Sequence, residues 1–142
     1  MAEGGKGLVH MGNPVLARSP DVPFDPAKPQ ALLYRRQADG RLSLAGAMFT
    51  APASATREEL DARVPLGVAQ WHRHVNVCRP PMGVARTAEF RRAVTEEACD
   101  RAGGRFRAEG TRYMVHVMTD GGDEIAAIFP QGRAHHARHA GE

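Results

Sequence analysis

Trp71-His72-Arg73-His74-Val75-Asn76-Val77-Cys78 is the stretch on which the reading of this chain turns. Its β-branched and aromatic residues favour a β-strand, in which side chains alternate between faces. Read that way, His72, His74, Asn76 and Cys78 share one face, and Trp71, Arg73, Val75 and Val77 the other. Same-face neighbours stand roughly 6–7 Å apart at Cα, from a rise of about 3.3 Å per residue. Two imidazoles at that spacing can reach one transition-metal ion.

A second strand, expected over Arg112–Met118, carries Met114, His116 and Met118 on one face and Tyr113, Val115 and Val117 on the other. Imidazole with thioether is the ligand mixture that selects copper, whereas zinc prefers imidazole, thiolate or carboxylate. Pairing of this strand with the one around His72 and His74 would let three imidazoles converge. Met114 and Met118 also suit an irregular core, which methionine fills well. His10, just ahead of the Asn13-Pro14 turn signal, is a candidate fourth ligand from the N-terminal segment. His135, His136 and His139 belong to a Gly- and Ala-rich end and are left out of the site.

Around these strands the chain reads as α+β, a mainly antiparallel sheet with one long and one short helix. Residues 1–30 are rich in glycine and proline and are expected as an extended N-terminal strap packed on the domain. Residues 31–130 are expected as a single domain, and 131–142 as a flexible His-containing tail. Asp39-Gly40 between the runs Ala31–Arg36 and Arg41–Thr50 predicts a hairpin, with Leu42, Leu44, Gly46 and Met48 on one face of its second strand. Thr56-Arg57-Glu58-Glu59 is a capping box opening a short helix that Pro65 limits. The long helix is expected over 87–102, with Phe90, Val94, Ala98 and Ala102 at four-residue spacing, Thr87 as its cap and Gly103-Gly104 as its stop. Arg105-Phe106-Arg107 and Glu124–Phe129 complete the set as strands.

Composition excludes several classes. The chain has 142 residues and a net charge of +3, without the basic stripe and interleaved aromatics that nucleic-acid binding requires. No apolar run approaches the roughly 18 residues of a membrane span. Met1-Ala2-Glu3-Gly4-Gly5-Lys6 has neither the basic start nor the apolar run of a signal peptide, which leaves a cytosolic location and a form shorn of its leader both open. Catalytic motifs are thin. Gly103-Gly104 follows a helix rather than opening one, no hydrolase triad has a recognisable setting, and Cys78 is roughly 13 Å along the strand from His74. Cys78 and Cys99 could be a disulfide, two buried thiols, or one of them a metal ligand.

Four stretches carry a resemblance: His10–Pro14, Pro29–Tyr34, Val64–Cys78, and Ala98-Cys99 through Gly103-Gly104-Arg105-Phe106 to Met114–Val117. On these the chain resembles a group of exported bacterial proteins with a Trp-His-x-His-x-Asn-x-Cys motif, for which no reaction is established. The chain departs from that group at Thr111-Arg112-Tyr113, where a tryptophan-containing turn is expected, and after Phe129. The resemblance implies export to the periplasm or beyond, and with it a Cys78–Cys99 disulfide. The expectation is thus a copper- or zinc-binding protein whose ligands are His72, His74, His116 and His10, with Met114 and Met118 as possible additions. A cupin-like metalloenzyme with an open coordination position is the first alternative. A metal-free, disulfide-stapled interaction domain is the second.

Overall fold

The computed structural model describes residues 2–3, 8–17 and 23–130. The expected tail, with His135, His136 and His139, lies outside the described residues, as do parts of the expected strap. By packing, the chain divides into two units, residues 72–113 forming one and the residues before and after them the other. The fold is α+β with a mainly antiparallel main sheet, as the patterning predicts.

In the first unit the strands are β1 (Ala2–Glu3), β2 (Leu8–Gly12), β3 (Ala31–Arg36) and β4 (Leu42–Ala51), with α1 (Pro14–Ala17) after β2 and α2 (Arg57–Arg63) after β4. Within the segment expected as an extended strap, residues 8–12 are a regular strand. Leu8–Gly12 lies antiparallel to β3 with His10 opposite Leu33, and Val9 is only 1% exposed. The flanking glycines and prolines bound this strand without interrupting it. Asn13 then caps α1, its Oδ1 accepting from the Val15 N–H at 3.0 Å, with Pro14 in the first helical position.

β3 and β4 form the predicted hairpin around Asp39-Gly40, where Gly40 takes φ +83°. The expected run of one face along β4 fails at a bulge. Leu33 faces Gly46 while Tyr34 faces Leu44, which leaves Ala45 as the extra residue. Ala45 is wholly buried, whereas Leu42 and Leu44 are exposed. α2 has the predicted capping box, Thr56 accepting from the Glu59 N–H and the Glu59 carboxylate accepting from the Thr56 N–H.

The sheet is completed by Tyr113–Met118, which is β7 of the chain and hydrogen-bonded to β4, giving the order β1-β2-β3-β4-β7. One face carries Leu33, Ala45, Met118, Leu8 and Met48. A separate cluster holds Phe49, Val115 and Ala69 with Trp71, Val117 and Phe129. The expected last strand is instead a helical turn, α5 (Ile125–Ile128), with the Phe129 N–H donating to the Ile125 carbonyl at 2.8 Å. Its alanine pair favours helix over strand.

The second unit contains β5 (Val77–Arg79), α3 (Ala88–Arg92), α4 (Glu96–Arg101) and β6 (Arg105–Arg107), with β5 and β6 antiparallel and Cys78 opposite Phe106. The expected single helix over 87–102 is thus two. Thr95 ends the first by capping the second, its hydroxyl accepting from the Ala98 N–H at 3.2 Å. Thr87 makes no side-chain cap, and Val94, expected on the apolar stripe, is 42% exposed. Phe90, Ala93, Cys78 and Cys99 make the core of this unit. Cys78 and Cys99 are bridged, with Cα atoms 5.4 Å apart.

Candidate metal centre

Of the stretch 71–78, only Val77 and Cys78 lie in a strand, as the start of β5; residues 73–75 are irregular and Asn76 takes φ +51°. With residues 73–75 outside any strand, the strand alternation from which His72 and His74 were placed on one face does not apply to them. The two rings are neighbours all the same. Their centroids are 5.9 Å apart and the planes nearly perpendicular, at 87°. Both side chains are half-buried.

The backbone of His74 is positioned by two residues that the sequence reading passed over. Thr111 donates its N–H to the His74 carbonyl at 2.8 Å, and its hydroxyl accepts the His74 N–H at 3.0 Å. Gly110 makes the approach possible: at φ +70° it takes a left-handed conformation, and a Cβ there would collide with the His74 carbonyl oxygen. A glycine-threonine pair preceding a strand was the available signal. Beside them, the Arg73 guanidinium lies over the Tyr113 ring, 5.2 Å from its centroid.

The other two predicted ligands meet in the first unit. His10 Nε2 lies 3.2 Å from His116 Nε2 across 106 residues of chain, with ring centroids 5.2 Å apart. β2 and β7 are not neighbours, since β3 and β4 stand between them. Three inter-strand steps of about 4.8 Å would hold their backbones roughly 14 Å apart in a flat sheet. Contact at 3.2 Å therefore requires the sheet to curl toward the face that both rings occupy. Gly46 assists, because a Cβ there would collide with the Val117 carbonyl oxygen of the adjoining strand. The sequence signal for this glycine was its place within an otherwise apolar strand.

Both imidazoles are half-buried, and the Nδ1 atom of His10 is shut off from solvent. Met118, two residues beyond His116 on the same strand face, packs against Leu33, the cross-strand partner of His10. Thioether sulfur is thus part of the same sheet face. Among the described residues no group of three or more His, Cys, Asp or Glu side chains is arranged to hold a metal ion. With Cys78 and Cys99 bridged, neither supplies a thiolate. Comparison with protein-family models, with curated proteins and with solved structures finds no match.

Proposed function

We propose that this chain binds a transition-metal ion between His10 and His116, copper in preference to zinc. The observation that carries the reading is the 3.2 Å separation of the two Nε2 atoms. With metal–nitrogen bonds of about 2.05 Å, that separation corresponds to a nitrogen–metal–nitrogen angle of roughly 103°, close to tetrahedral. The remaining positions fall to Met118, whose thioether favours Cu(I), and to water. Binding or handling of the ion is the reading adopted over catalysis, because the sequence carries no recognisable phosphate loop or hydrolase triad. The Cys78–Cys99 bridge accords with an exported protein, since such bonds persist in oxidising compartments.

The competing reading is a metal-free domain in which the two rings share one proton, each Nε2 donor or acceptor by tautomer. The lack of a third His, Cys, Asp or Glu ligand among the described residues favours it. Anaerobic Cu(I) and Zn²⁺ titrations of the full chain, with His135, His136 and His139 replaced by alanine, separate the two. The expected result is one ion per chain, lost in His10→Ala and in His116→Ala. Equal affinity in all three proteins would leave the shared-proton reading. His74→Ala tests the remaining histidines: unchanged stoichiometry and affinity assign the ion to His10 and His116 without His72 and His74.

A further inference from the structure

Residues 72–113 hold nine arginines against five acidic residues, a net +4, although the whole chain carries only +3. The charge of the protein is thus concentrated in one unit. Within it, Arg79 and Arg105 stand directly opposite each other in the β5/β6 pair, and both are exposed. Like charges at such a position repel unless something negative lies over them. Arg91 adds to the crowd, its guanidinium donating to the Arg86 carbonyl at 2.9 Å. Partial burial first, then the charges of Arg91 and Arg79, push the Arg86 guanidinium below its usual value. Among the described residues none of these four arginines has a salt-bridge partner.

Between Arg79 and Arg86 the chain makes a tight turn, Pro81-Met82-Gly83-Val84. The Val84 N–H donates to the Pro81 carbonyl at 3.1 Å, and Gly83 at φ +81° takes the left-handed position of a type II turn. Met82 is at its tip and is 102% exposed; Val84 is 48% exposed. The turn thus holds an apolar side chain out in water, on a segment bounded by Arg79 and Arg86, with the charges of Arg79 and Arg91 both felt at Arg86.

We propose that this turn is a docking site for an anionic lipid surface, with Met82 entering the bilayer interface and Arg79, Arg86, Arg91 and Arg105 meeting the headgroup phosphates. Apolar insertion and polybasic attraction are each weak alone and together make a usable peripheral anchor. An acidic macromolecule would use the arginines but gain little from a lone methionine, and single-stranded nucleic acid would call for stacking aromatics, which the turn lacks. None of these residues is a histidine, so the inference stands apart from the metal reading.

Flotation of the full chain with vesicles tests it, comparing equal parts phosphatidylglycerol and phosphatidylcholine against phosphatidylcholine alone. Binding is expected only to the anionic vesicles. It should fall about fivefold for each charge removed in Arg79→Gln and Arg86→Gln, and roughly tenfold in Met82→Ser. Because Met82 touches no core, that variant keeps its fold, which circular dichroism checks. Absence of binding to anionic vesicles, or binding unchanged in Met82→Ser, would overturn the proposal. Polyglutamate and single-stranded RNA are run alongside. Capture by either that exceeds capture by vesicles and survives Met82→Ser would assign the arginines to an acidic macromolecule instead, and overturn it equally.

Discussion

Thr111 brackets the peptide unit of His74, giving its own N–H to the carbonyl at 2.8 Å and taking the His74 N–H on its hydroxyl at 3.0 Å. One residue thereby holds an irregular segment in place where a strand ladder would otherwise do so. Thr111→Val keeps the shape and the backbone donor but removes the hydroxyl acceptor. It should lower stability by about 1 kcal/mol, at the low end of the range for an unsatisfied group because the site is half-buried. Faster amide exchange at His74, read by NMR, is the local signature; exchange as in the parent protein would show that the hydroxyl contributes nothing.

Gly110 and Gly40 differ in a way that separates two costs. Both take positive φ, +70° and +83°, but a Cβ at Gly110 would strike the His74 carbonyl while a Cβ at Gly40 meets open space. Gly40→Ala should therefore cost about 1 kcal/mol, the penalty of the left-handed conformation by itself. Gly110→Ala should cost more than about 2 kcal/mol, since overpacking adds to that strain. Urea unfolding of the two variants checks the order, and equal losses would mean that the 72–76 segment yields to the added methyl group.

Cys78 and Cys99 close a loop of 21 positions around the core of residues 72–113. By loop-closure entropy the bridge stabilises by about 3 kcal/mol. Cys78→Ala with Cys99→Ala should lose that amount, while alkylation of the parent protein without reductant should label no thiol. Gly104→Ala should weaken the same region, because its Cβ would be driven against both sulfurs. A thermal scan that places Gly104→Ala level with the parent would contradict that packing.

Arg35 donates from Nε to Asp120 at 2.8 Å, tying β3 to the residues after β7. That hydrogen bond first, and the charge of Arg35 after it, hold the Asp120 carboxyl below its ordinary value. A depressed folded-state value means that the stabilisation is complete above the unfolded value of about 3.9 and is lost as pH falls through the folded one. Both groups are substantially exposed, so solvent screening limits the effect to at most about 1 kcal/mol. Asp120→Asn should remove that much at neutral pH and nothing below about pH 2. A difference independent of pH would show that the ion pair is not its source.

Protons compete with a metal ion for the imidazoles of His10 and His116, whose ordinary value is about 6.5. Affinity should fall by up to about a hundredfold per pH unit below that value if both rings are ligands, and by about tenfold if one is. Met118→Ala should weaken Cu(I) far more than Zn²⁺, since only the soft ion gains from thioether. Titrations between about pH 5 and 8 read both effects.

The sequence alone determined what depends on neighbours a few positions apart. The Thr56/Glu59 capping box, the Asp39-Gly40 hairpin and the helix stop at Gly103 are each specified by local hydrogen bonds and φ preferences, and all are present. It also marked His116 as a chemistry-bearing residue through its type and setting, and His10 only through the resemblance. Tertiary structure decided the rest. Alternation along 71–78 read as a strand because nothing local reveals that Asn76 turns left-handed, or that Thr111, 37 residues on, supplies the hydrogen bond that a ladder would have made. The four-residue spacing of Phe90, Val94, Ala98 and Ala102 suited one helix, yet Thr95 could continue it or cap a new one. Burial of Phe90, Ala93 and Cys99 in one core goes with the second. The meeting of His10 with His116 is the clearest case. Their contact depends on strand order and on a curl of the sheet across β3 and β4, and those are set by which apolar faces bury together, a quantity that no single segment contains.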